Sequence, residues 1–106
     1  MVDKVTQWEG KSGKKYQYVI HDLNTNFRPI SANYIIAKKT LPDAWKPIYI
    51  GESGNLNECF QNHEKWSCIT KNGATHILVH ETSPDPDERH EEESDLLAKI
   101  KTSCND

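Results

Sequence analysis

The spacing of apolar residues changes several times along this chain, and each change marks an element. Tyr16, Tyr18 and Ile20 recur at every second position, the alternation of a half-buried strand. Gly10-Lys11-Ser12-Gly13 before them turns the chain back from an earlier strand over Val5 to Trp8, which predicts an N-terminal β-hairpin. From Asn24 to Ser31 the turn formers Asn24, Asn26, Pro29 and Ser31 read as a loop. Two short β-prone runs follow, Asn33 to Lys38 and Pro47 to Gly51, joined through Leu41-Pro42-Asp43; they are expected to pair.

The period then lengthens. Leu56, Cys59, Phe60 and His63 fall at i, i+3, i+4 and i+7, and Asn55 can cap the helix this predicts over Leu56 to His63. Lys71-Asn72-Gly73 turns into a strand over Thr75 to His80, with Ile77 and Val79 on one face and His76, Leu78 and His80 on the other. The last element carries the fullest start signal: Asp85 as N-cap, Pro86 at the first helical position and Glu88 three residues after the cap, opening a helix to about Lys101. The order β-β-β-β-α-β-α predicts a mixed α/β fold, a small, mostly antiparallel central sheet flanked by helices. All 106 residues form one domain in this reading, with 1–31 as hairpin and loop and 32–106 as the core.

Composition sharpens the picture in three places. Charged residues make up 27% and hydrophobic ones 35%, yet the apolar positions are grouped periodically, so a folded core is expected. Residues 1–80 hold ten Lys/Arg against seven Asp/Glu, and residues 81–106 three against nine, so the net charge of -3 leaves room for a basic face beside an acidic helix. Cys59, Cys68 and Cys104 are an odd number at irregular spacing, and Met1 to Lys15 contains no signal-length apolar run; reduced thiols and a cytoplasmic location are the expectation, with no membrane partner.

Three groups of residues could carry chemistry. In the last helix Leu96, Leu97 and Ile100 define the apolar stripe and Glu93 lies within its arc, where a carboxylate needs either a salt bridge, with Arg89 at i-4, or a bound cation. Tyr34 and Lys38 share one strand face and Tyr49 and Gly51 another, so the two tyrosines either line one surface or fill the core. Cys59, His63 and Cys68 form a C-x3-H-x4-C arrangement for which no fourth ligand is indicated, so zinc is not expected.

Asn33-Tyr34-Ile35, Tyr49-Ile50-Gly51-Glu52-Ser53-Gly54-Asn55-Leu56 with His63, then Glu93-Ser94-Asp95-Leu96-Leu97 and Asn105 resemble the signature strands, helices and closing asparagine of the GIY-YIG nuclease family, from about Ala32 to Asn105. The resemblance implies cleavage of phosphodiester bonds in nucleic acid, DNA before RNA. It also implies one magnesium or manganese ion held by Glu93, and Tyr34 or Tyr49 activating the attacking water or ordering the metal's water shell. His63 would contact phosphate or shuttle a proton. Asn105 would support the site, and Lys38, Lys65 and Asn105 are the expected nucleic-acid contacts.

Two departures accompany the match. Ala32 replaces the first glycine, and Cys59 stands where the family places a phosphate-clamping arginine. A thiol offers no planar fork of donors. Losing transition-state stabilisation of that kind costs roughly 2.7–4 kcal/mol, or about 10²- to 10³-fold in rate. The expected enzyme is therefore slow, with Lys38, Lys65 or Arg28 as possible substitute cations. The alternative is a non-catalytic module on the same fold that binds nucleic acid or a protein partner.

Overall fold

A computed structural model describes residues 4–41, 44–60 and 63–105. Five strands, β1 (Val5–Glu9), β2 (Lys15–Asp22), β3 (Ala32–Leu41), β4 (Ala44–Ser53) and β5 (His76–Glu81), form one antiparallel sheet in the order β1-β2-β5-β3-β4. Among the described residues three helices, α1 (Leu56–Cys59), α2 (Trp66–Lys71) and α3 (Pro86–Leu97), complete the mixed α/β fold that the pattern predicts. No helix among the described residues is long and apolar enough to cross a membrane.

The sheet separates two cores because period-two alternation sends neighbouring residues to opposite faces. Tyr34, Ile36, Ile77 and Val79 point to the face covered by Leu56 of α1, Ile69 of α2 and Phe27 of the loop before β3. Tyr18, Ile35, Ile50 and Leu78 point to the other, where Leu96 of α3 is fully buried with Leu97 and Ile100 beside it. Each fully buried aliphatic side chain contributes about 1.5–3 kcal/mol.

Both hairpins are as expected, with β3 and β4 side by side; Pro42 and Asp43 of their connection lie outside the described residues. The β1–β2 turn is latched to α3. Ser12 donates to the Asp95 carboxylate through its amide (2.9 Å) and hydroxyl (2.8 Å), and the Tyr16 hydroxyl does the same at 2.8 Å. A side chain at Gly10 would run into that carboxylate.

Four expectations need correcting. The helix after β4 ends at Cys59 instead of reaching His63: Asn55 caps it as foreseen, but the Phe60 carbonyl accepts the Trp66 indole N–H (3.1 Å), so the chain leaves the helical path. Helix α2 was not expected; Ile69 anchors it in the core, with Trp66 at i-3 partly buried beside it. The final helix stops at Leu97, where Lys99 and Ile100 both bond back to Leu96 and tighten the last turn. The thiols are not all reduced: Cys68 on α2 is joined to Cys104, leaving Cys59 as the free cysteine.

That disulfide spans 36 residues, a loop whose closure stabilises the fold by about 3–4 kcal/mol on chain-entropy grounds. It also pins the C-terminal segment along β4, where the Cys104 amide donates to the Ile48 carbonyl at 2.9 Å. Denatured without reductant, the protein is expected to react with one equivalent of a thiol reagent, at Cys59, and with three after reduction. Three equivalents before reduction would show that the bond does not form.

Candidate active site

The β3–β4 register sets Tyr34 opposite Gly51 and Ile36 opposite Tyr49. Gly51 is there for space: a Cβ would stand 2.6 Å from the Tyr34 hydroxyl and 2.8 Å from the Tyr49 ring, so no larger residue lets the two rings approach. Their centroids are 6.0 Å apart. The Phe60 ring packs edge-on to Tyr34 at 4.9 Å, and Tyr34 itself is buried.

His63 closes the group, its ring against those of Tyr34, Tyr49 and Phe60. Its Nδ1 accepts the Lys65 amide N–H at 3.0 Å, and its Nε2 lies 2.8 Å from the Tyr34 hydroxyl. An Nδ1 that accepts leaves the proton on Nε2, so neutral His63 donates to the Tyr34 oxygen. Burial lowers the His63 pKa, which favours that neutral form, and the nearby charges of Glu64 and Lys65 act in opposite directions. Burial likewise raises the Tyr34 pKa far above the ordinary phenol, with Cys59, Tyr49 and Glu93 adding to the effect. The Tyr49 hydroxyl is also raised, first by burial and then by the Glu93 charge.

Glu93, on α3, is near enough for its charge to act on Tyr34 and Tyr49. It is half-buried and, among the described residues, makes no ion pair. Burial raises its pKa, the Glu52 carboxylate raises it further, and His90 partly offsets both. The i-4 bridge to Arg89 does not form. Arg89, 7% exposed, donates instead to Glu52 (2.7 Å) and to the Pro84 carbonyl (2.7 Å). A guanidinium committed in that way leaves the carboxylate one turn later without an ion pair among the described residues.

The remaining residues fall into place around these. Cys59 sits half-buried in hydrogen-bonding contact with Tyr34 and Ser53; burial raises its pKa and keeps the thiol neutral. Asn105 is taken up by the backbone beside Gly51, accepting the Ile50 N–H and donating to the Ile50 carbonyl, both at 2.7 Å. Lys65 meets the site through its amide. Lys38 shares the strand face of Tyr34 but lies four residues along β3, next to Gly73. Cys68 is bonded to Cys104 and so supplies no thiolate beside Cys59 and His63.

Sequence spacing left several supports unassigned. Asn33, fully buried, donates to Glu92 at 2.8 Å, and Glu92 also accepts from Thr82 at 3.0 Å. His80 donates through Nδ1 to the Gln17 carbonyl and turns Nε2 toward Glu92 at 3.6 Å; His90 meets Glu52 at 3.1 Å. A polar residue on the inward face of a strand, as Asn33 is, was the available signal. No family model, curated protein or solved structure matches the chain.

The raised pKa of Glu93 has a stability consequence whose sign is fixed. The folded state holds this proton more tightly than the unfolded state, so stability falls as pH rises from the usual carboxylate pKa through the raised one. Glu93→Gln, permanently neutral, is therefore expected to melt at a higher temperature than the parent at pH 7. The difference should vanish below the normal carboxylate range in a thermal-melt series against pH.

Proposed function

We propose that this chain is a divalent-metal-dependent phosphodiester hydrolase acting on nucleic acid, slow because Cys59 occupies the position of a phosphate-clamping arginine. The observation that supports it most is the half-buried Glu93 carboxylate, without an ion pair among the described residues, whose charge acts on Tyr34 and Tyr49 of the Tyr34–Tyr49–His63 group. A carboxylate left so in a folded protein is costly unless it has a ligand to hold. The donor set is hard oxygen, which fits magnesium or manganese with water filling most of the coordination shell. Glu93 would hold the ion, and the ion would polarise the phosphoryl group and lower the pKa of water.

The chain's own residues divide the remaining work. Tyr34, kept un-ionised by burial and fed a hydrogen bond from His63, orders the attacking water in preference to acting as a phenolate base. His63 fixes the direction of the Tyr34 hydroxyl, because the Lys65 amide selects its tautomer. Asn105 and Gly51 hold the backbone that brings Tyr49 alongside. DNA is the first substrate to test.

A second reading, a non-catalytic module that binds nucleic acid or protein, is favoured by two observations: the neutral Cys59 thiol contacts Tyr34, and Arg89 is committed to Glu52. As to location, the disulfide weighs against a reducing cytoplasm, since such bonds persist in oxidising surroundings.

Cys59→Arg separates the two functions. It is expected to raise metal-dependent cleavage of a DNA and RNA panel by about tenfold or more, acting on rate more than binding, because an arginine fork engages charge that develops in the transition state. Glu93→Gln should abolish the gain. A folded Cys59→Arg protein without Glu93-dependent cleavage leaves the binding module as the better account. In the parent, millimolar magnesium is expected to shift the NMR signals of Glu93, Tyr34 and Tyr49 and few others; unchanged spectra would count against the metal site.

A further inference from the structure

Strand β4 carries one residue more than its partner between two paired positions. Ile36 faces Tyr49 and Ala37 faces Pro47, so Ile48 is a bulge. Its effect on side-chain direction follows from the period of two. Lys46 is three residues from Tyr49 and in a regular strand would point to the opposite face. With Ile48 inserted, Lys46 pairs directly with Lys38, on the face of β3 that also carries Tyr34 and Ile36.

Two lysines directly opposite one another destabilise an antiparallel pair. Nothing described relieves it: both side chains are exposed, and neither forms an ion pair among the described residues. The Lys38 chain lies along Gly73, its Nζ 3.7 Å from where a Cβ would stand, and Lys71 closes α2 two residues earlier with a third exposed ammonium. In a chain of net charge -3 this is a local concentration of positive charge that the bulge creates and the fold does not use.

We propose that the Lys38–Lys46 pair, with Lys71 two residues before the Gly73 that Lys38 lies along, is a docking surface for the phosphate backbone of a nucleic acid. Point charges on flexible stems, set about 5 Å apart at their roots, suit successive phosphates and do not read bases. Counted at about 3.3 Å per residue, Lys38 is about 13 Å along β3 from Tyr34, so the surface contacts the substrate away from the bond to be cut. The inference rests on the nuclease reading for the nature of the anion, but binding can be measured without cleavage.

The test is anisotropy of a labelled DNA duplex titrated with the whole protein in EDTA over a series of salt concentrations. Lys38→Gln/Lys46→Gln is expected to weaken binding and to flatten the slope of log affinity against log salt by about 2, the share of two phosphate contacts. Lys4→Gln/Lys11→Gln removes the same charge elsewhere and should leave the slope close to that of the parent. Equal slopes for parent and Lys38/Lys46 variant, or no duplex binding at low salt, would overturn the surface, as would binding of an acidic peptide in place of DNA. Lys46→Glu supplies an independent reading: by turning a repulsive cross-strand pair into an attractive one it should raise the melting temperature while weakening DNA binding. No rise would show that the bulge does not set the lysines face to face. Lysine-dependent binding without any Glu93-dependent cleavage keeps this surface and removes the nuclease; cleavage with a lysine-independent slope does the reverse.

Discussion

A buried guanidinium needs a carboxylate, and in this fold Arg89 takes Glu52. Arg89 lies at the start of α3 with Glu52 at 2.7 Å from Nε and two backbone carbonyls within 3.3 Å of Nη1, so three of its five donors are taken up. Breaking such a pair by removing one partner is typically worth 3–5 kcal/mol, roughly, because the other charge is stranded. The pair therefore fixes α3 to the end of β4 before any question of chemistry arises. Glu93, one turn on, inherits a position from which its charge acts on Tyr34 and Tyr49, and no counter-ion among the described residues.

The first half of α3 is held by polar contacts, and the second half by apolar ones together with the Asp95 latch to the β1–β2 turn. Arg89, His90 and Glu92 meet Glu52, Asn33 and Thr82, whereas Leu96, Leu97 and Ile100 meet the sheet through carbon. Directional bonds limit the rotation of the helix about its own axis, which apolar packing alone tolerates more freely. The angular placement of Glu93 is thus set by its neighbours and not by its own interactions.

What could be read from the chain were the features encoded in period and turn chemistry. The pairing of the Tyr34 and Tyr49 strands, the two faces of β5 and the Asp85-Pro86 start of α3 are local, and the structure has them where the spacing places them. The features that spacing could not give are contacts between residues far apart. Asn33 with Glu92, Glu52 with Arg89 and Cys68 with Cys104 are separated by 59, 37 and 36 positions. The short α1 belongs with them: its end is decided by a Trp66 indole that only the folded chain brings to Phe60. Of the candidate site, the pairing of the strands that carry Tyr34 and Tyr49 was legible. The tautomer of His63 and the isolation of Glu93 were not, because both depend on a neighbour's hydrogen bonds.

The place of β5 in the sheet has a kinetic side. Two hairpins, β1–β2 and β3–β4, join residues close in sequence and can form early, on the microsecond scale of hairpin closure. Neither touches the other in the sheet; β5, arriving more than twenty residues after the second of them, is the strand that bonds to β2 on one side and β3 on the other. Loop-closure entropy has to be met twice in that one insertion, which makes it the natural barrier to folding. Until it happens the inner edges of both hairpins stand open, each a template for another chain. The molecule is most exposed to misassembly in the interval between making its hairpins and closing its sheet.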